Sequence, residues 1–98
     1  MTAPIQHDEA ACVFRLEQDD EVVHLDYVMR GERVMDTTYT YTPPALRGRG
    51  LASRVVGAAM EYAQGRAFRV VPSCWYVAGW IARHPEYERL VTDQPYPN

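Results

Sequence analysis

Polar and apolar residues alternate over 12–17 and again over 23–29, which is the period of a strand with one buried face. In the second run Val23, Leu25, Tyr27 and Met29 share one face, and His24, Asp26 and Val28 share the other. The turn clusters Gln18-Asp19-Asp20 and Arg30-Gly31-Glu32 follow these runs, so the spacing predicts hairpins joining three antiparallel strands. The third strand, 33–42, is rich in β-branched and aromatic residues. Plain alternation puts Val34, Asp36, Thr38 and Thr40 on one of its faces and Arg33, Met35, Thr37, Tyr39 and Tyr41 on the other. Pro43 and Pro44 have no N–H to give a ladder, so pairing stops there, and backbone groups near 40–42 are expected to be free.

The period then lengthens. Over 51–64 the positions Ser53, Gly57, Glu61 and Gln64 recur at helical spacing and leave a broad apolar surface that includes Leu51, Val55, Ala58 and Tyr62 with Ala52, Val56, Ala59 and Ala63. That predicts a helix packed on the sheet and stopped near Gly65. Residues 68–71 read as a short strand parallel to the third, reached by a right-handed crossover. A second helix is expected over 75–83, with Val77, Trp80 and Ile81 on one side and Pro85 as its stop; Pro85 can then open a further helical turn. Residues 1–10 show no period and are expected to form a loose arm, with 92–98 as a tail. The fold expected is one minimal α/β domain over 1–98: three antiparallel strands continued by a β-α-β unit and a C-terminal helix.

Candidate chemistry gathers where the third strand meets the first helix, at Arg47-Gly48-Arg49-Gly50-Leu51-Ala52. A helix N-terminus offers unpaired N–H groups and the positive end of the helix dipole, and glycines let an anion approach them. A phosphate or pyrophosphate suits such a place. The Arg-x-x-Gly-x-Ala spacing, with Pro43-Pro44 upstream, resembles the acyl-CoA loop of the GCN5-related N-acetyltransferases (GNAT). Downstream, Val70-Val71-Pro72-Ser73-Cys74-Trp75-Tyr76-Val77 and Arg83-His84-Pro85-Glu86-Tyr87 are similar to the short, cysteine-containing, YjdJ-type branch of that superfamily. The resemblance covers about 14–91. It implies a GNAT-like fold and acetyl-CoA as co-substrate, with the coenzyme A pyrophosphate on backbone amides at about 49–54. It also implies a pantetheine arm lying like an extra strand beside the third strand. The cofactor-binding residues it implies are Thr40, Tyr41, Thr42, Arg47, Gly48, Arg49, Gly50, Leu51, Ala52, Ser53, Arg54 and Cys74.

The rest of the composition narrows the function classes. A net charge of −3 and no visible basic stripe argue against nucleic acid as a partner. All ten positive side chains are arginine, which leaves no lysine for Schiff-base chemistry. Cys12 and Cys74 are too few for a disulfide scaffold, and His7, His24 and His84 are scattered, so no metal is expected. No apolar run approaches the roughly 20 residues that span a bilayer. A polar N-terminus unlike a secretory signal points to the cytoplasm. An open sheet edge allows a monomer or a weak homodimer.

Each candidate also has a plainer reading. Arg47 and Arg49 suit a solvated surface as well as a pyrophosphate. Cys74 is either a small buried hydrophobe or a thiol with a lowered pKa at a helix N-terminus. Tyr39, Tyr41 and Tyr76 suit packing. Tyr41 stands near the strand end where the resembling family often keeps a carboxylate base, and the resemblance puts Cys74 where the thioester end of the coenzyme is expected, so Tyr41 and Cys74 are the candidate catalytic residues, with direct transfer favoured over a Cys74 nucleophile. His84, before Pro85, reads as a cap or surface residue. The function expected is acetyl transfer from acetyl-CoA to an unidentified amine; the alternative is an acyl-CoA-binding or interaction module with little or no transferase activity.

Overall fold

The computed structural model of the chain describes residues 3–92. Five strands form one sheet in the order β1 (Ile5–Asp8), β2 (Val13–Gln18), β3 (Glu21–Met29), β4 (Val34–Tyr41), β5 (Arg69–Val71). The first four are antiparallel neighbours, and β5 lies parallel to β4. A 3-10 turn, Pro44–Leu46, leads from β4 toward helix α1 (Leu51–Gly65), which crosses back to β5; helix α2 (Trp75–Ala82) and a second 3-10 turn, Pro85–Leu90, follow. The strands and helices expected from the sequence are therefore present, with ends shifted by one or two residues.

The loose N-terminal arm is corrected. Ile5 pairs with Leu16 and Asp8 with Val13, so part of the arm is a strand on the sheet edge. Its anchor is a ring cluster: His7 stacks on Phe14 with centroids 3.9 Å apart, meets Tyr62 edge-on at 4.4 Å, and is hydrogen-bonded to the Tyr27 hydroxyl at 2.6 Å. Burial lowers the His7 pKa and, with nearby Cys12, Tyr62, Glu9 and Asp8, pushes that of Tyr27 up to about 12. A four-residue strand held by contacts 7 to 55 positions away leaves no local period to read. At the other end, Val91 forms a parallel bridge with Val70 and the Thr92 N–H donates to the Val70 carbonyl, so the tail begins bound to β5; residues 93–98 lie outside the described residues.

One core joins the elements. Phe14, Leu16, Val23, Leu25, Tyr27 and Met35 from the sheet pack with Leu51, Val55, Val56, Ala59, Met60 and Ala63 of α1 and with Val77, Trp80 and Ile81 of α2. Ser53 and Gly57, expected on the polar face of α1, belong instead to its contact with α2. Trp80 Nε1 donates to Ser53 Oγ at 2.9 Å, and a Cβ added at Gly57 would stand 3.5 Å from the Trp80 ring.

The alternation expected for the third strand is also corrected. Asp26 faces Tyr39 while Tyr27 faces Thr37, so Thr38 is an extra residue in β4, a β-bulge. Thr38 Oγ1 donates to the Asp26 carbonyl at 3.2 Å and occupies the interrupted ladder. The bulge shifts the phase: Met35, Thr37 and Thr40 fall on the face of Tyr27 and Leu25, whereas Asp36, Tyr39 and Tyr41 fall on the opposite face with Val28, Asp26 and His24.

Candidate functional site

The parallel pairing of β4 and β5 ends at Asp36 and Val71, because Pro72 supplies no N–H to continue it. Beyond that point Thr37 closes the fork. Its carbonyl accepts from the Cys74 N–H at 2.9 Å, and its hydroxyl donates to the Val71 carbonyl at 3.3 Å. Asp36, on the other face, accepts from Ser73 Oγ at 2.6 Å and Arg30 Nε at 3.3 Å, fixing the same junction from behind. The two chains then diverge, one into Thr38–Thr42 and the other into α2.

Between them opens a cleft of about 590 Å³, lined by Thr40, Tyr41, Thr42, Leu46, Arg47, Gly48, Gly50, Leu51, Ala52, Trp75 and Tyr76. That volume lies within the range of small-molecule sites. Its floor at the α1 end is backbone. Gly48 and Gly50 sit at φ +79° and +74°, a left-handed conformation that disfavours a Cβ, and Gly50 forms the N-cap of α1 without a capping side chain. The helix ladder starts with the Arg54 N–H bonding the Gly50 carbonyl, so the amides of the first turn, 51–53, are the ones a helix leaves without internal acceptors. Leu46, 1 % exposed, pins the loop to the core. Arg47 Nε donates to the Thr42 carbonyl at 3.0 Å, which occupies one of the backbone groups expected to be free and ties the loop to the strand end.

At the other end of the cleft, Cys74 is the N-cap of α2 and 7 % exposed. Its thiol donates to Thr40 Oγ1 at 3.5 Å. Burial pushes its pKa up, but the Thr40 hydroxyl and the backbone groups of Val77, Tyr76 and Thr40 outweigh that and lower it overall. The thiol thus sits below Thr40 and does not line the cleft itself.

The structure brings most of the sequence-predicted site residues together and separates four. Thr40, Tyr41, Thr42, Arg47, Gly48, Gly50, Leu51 and Ala52 line the cleft. Arg49 pairs instead with Asp19 at 3.2 Å, Arg54 Nη2 donates to the Ala3 carbonyl at 2.6 Å, Ser53 accepts from Trp80, and Cys74 stands beneath Thr40. Leu46, Trp75 and Tyr76 were missed as lining residues. Trp75, 83 % exposed at the start of a helix, carried a sequence signal in its place directly after Cys74. His84 stacks on Trp80 at 3.7 Å and is hydrogen-bonded through Nδ1 to the Trp80 carbonyl at 2.8 Å, in keeping with a packing and capping role.

The chain is similar to known proteins in sequence and in fold. The family model described as GCN5-related N-acetyl-transferase matches residues 13–90. The chain is 30% identical over 95 residues to Protein NATD1 of Bos taurus, covering 93% of this chain and 82% of that protein. It is 29% identical over 94 residues to Protein NATD1 of Danio rerio, covering 89% and 84%. Its fold is similar to the solution structure of a GCN5-like protein from Staphylococcus aureus, with a TM-score of 0.69 over 95% of this chain and 91% of that one at 14% sequence identity.

Proposed function

From the premise that the chain belongs to the GCN5-related N-acetyltransferase family, we propose that it transfers an acetyl group from acetyl-CoA to an amine. The single observation that carries the reading is the fork between β4 and β5 beyond Asp36 and Val71, opening onto the glycine start of α1. The residues present suit a long thioester with a diphosphate at one end. Backbone N–H groups from Gly50 into the first turn of α1 would hold the diphosphate, with the helix dipole adding to their pull. Positive φ at Gly48 and Gly50 keeps side chains off this surface. The half-buried end of β4 and the residue after it, 40–42, would receive an amide-bearing arm as a strand receives a neighbour. Acetyl-CoA supplies an activated acyl group; the chain's own contribution is to orient it and exclude water, so most of the rate gain comes from positioning and preorganised dipoles.

Thr40 and Cys74 meet at the end of that path. The Cys74 thiol, held under Thr40 and away from the cleft, shapes and polarises the site, and the amine attacks the thioester directly. Tyr41 lines the cleft as a polar wall.

One observation favours a second reading, a coenzyme A-binding module with little transferase activity: among the described residues, none that lines the cleft is a carboxylate or a histidine. A single experiment separates them. Calorimetry with coenzyme A and thiol-release assays with acetyl-CoA and a panel of amines should show both binding and transfer. Binding without transfer supports the second reading, and absence of binding defeats both.

A further inference from the structure

The fork in the sheet has two faces. On the face opposite Thr40, three rings cluster, and one of them holds a carboxylate. Tyr39 and Tyr41 stack with centroids 6.4 Å apart and planes 14° from parallel, and His24 lies 5.9 Å from each. His24 and Tyr41 are paired across β3 and β4, and Asp26 and Tyr39 are the next pair on the same face. His24 Nδ1 is 3.0 Å from Asp26 Oδ1. An ionised carboxylate only accepts hydrogen bonds, so in the neutral imidazole the tautomer this contact favours has the hydrogen on Nδ1 and the lone pair on Nε2. Tyr39 is 51 % exposed, and the Asp26 side chain 42 %. Of the charged neighbours, Arg15 pairs with His24 across β2 and β3 and lies 3.7 Å from Asp8 of β1, Glu17 of β2 shares the face of Arg15, and Asp36 of β4 on this face is held by Arg30 at 3.3 Å.

We propose that this face receives the acceptor as a primary ammonium ion, seated on Tyr39, Tyr41 and the Asp26 carboxylate, and that His24 Nε2 takes its proton. The inference rests on the acetyl-transfer reading. Ring faces and a half-exposed carboxylate are the chemistry that attracts an ammonium group. The same feature connects the two faces: the register of β4 with β5 ends at Asp36 and Val71 while its pairing with β3 runs on to Tyr41, and Tyr41 belongs to both the cleft wall and the ring cluster. A protonated amine has no lone pair with which to attack. Its nitrogen must lose two protons in all: one passes to His24 Nε2, and the other leaves with the sulfur as the free thiol of the product. The N–C bond to the acyl carbon forms as the C–S bond of the acetyl thioester breaks. Asp26 is a positioning residue, holding the tautomer that leaves Nε2 as acceptor.

Protein saturated with coenzyme A, which cannot transfer an acetyl group, is titrated with cadaverine and, separately, with pentanediol as its neutral counterpart, while the ring resonances of His24, Tyr39 and Tyr41 are followed by NMR. The diamine should move them and the diol should leave them; no movement with the diamine, or equal movement with both, overturns the ammonium seat. Drift of the Val28 and Tyr39 resonances with protein concentration in amine-free buffer would make a second copy the occupant and also overturn it. In His24→Gln, acetylation of cadaverine should fall about 10²- to 10⁴-fold with loss of the acid limb of the wild-type pH profile, whereas acetylation of aniline, already neutral, should change less than about threefold. Equal loss with both amines would leave His24 a packing residue and overturn the proton-taking role, as would a wild type that binds coenzyme A and acetylates neither. Failure of coenzyme A binding, read independently by calorimetry, strikes the acetyl-transfer reading, and the inference falls with it.

Discussion

Replacing Gly48 and Gly50 together by valine separates the two things these glycines can do. Both have positive φ, and a Cβ built at either meets nothing within 4 Å, so the folding cost comes from the backbone conformation and not from a clash. A left-handed residue with a side chain costs about 1–2 kcal/mol, hence roughly 2–4 kcal/mol for the pair. A small domain is stable by about 5–15 kcal/mol, so the variant should fold, with its melting temperature lowered by about 4–8 °C for each kcal/mol lost. Binding should suffer more. Both positions line the cleft, and side chains there would hold an anion off the first-turn amides of α1. Loss of two charge-assisted hydrogen bonds, each worth about 1.5–3 kcal/mol, weakens coenzyme A binding by roughly 10²- to 10⁴-fold. Asparagine at both positions is the control, because it tolerates the left-handed region while still adding a side chain. Calorimetry with coenzyme A and thermal unfolding on all three proteins should show binding lost in both variants and stability lost mainly in the valine pair. A folded valine variant with wild-type affinity would refute the loop as the diphosphate site and leave the glycines a turn.

Ser53→Ala removes the acceptor of buried Trp80 Nε1, so denaturant unfolding should show a loss of about 1–3 kcal/mol; an unchanged midpoint would mean the bond contributes nothing. Cys74→Ala should lower acetyl transfer without abolishing it, and intact-protein mass spectrometry with acetyl-CoA should show no adduct; a rapidly formed adduct that decays on adding amine would make Cys74 a nucleophile. Burial raises the Cys74 pKa and the Thr40 hydroxyl leads the bonds that outweigh it, so Thr40→Val should move the pH midpoint of Cys74 alkylation upward. A downward or absent shift would contradict that cause. Tyr27 ionises at about 12 when folded and near 10.0 when unfolded, so over that window the folded chain binds more protons and stability falls as pH rises, by about 2–3 kcal/mol in all. Chemical denaturation across that range should show the fall in wild type and a smaller one in Tyr27→Phe.

Much of this protein is determined by its sequence read locally. Alternation in 23–29, the helical spacing after Leu51, the punctuation of Pro43-Pro44 and Pro72, and the glycines at 48 and 50 each constrain the backbone within a few residues, so strand, loop and helix are legible in order. The glycine loop was legible as a candidate anion site for the same reason, since helix ends and positive φ are local properties. What only the tertiary structure decided depends on partners far along the chain. The bulge at Thr38 exists because β4 must register against β3, and that one extra residue exchanges the faces of Tyr39, Thr40 and Tyr41. It thereby puts Thr40 over Cys74, 34 positions away, and turns Tyr39 and Tyr41 toward His24. The side chains of Arg49, Ser53 and Arg54 are claimed by Asp19, Trp80 and Ala3, contacts of 30, 27 and 51 positions that no local pattern contains. Period and propensity specify which way a chain runs; the register between distant strands and the competition among distant partners specify which side chains reach the cleft.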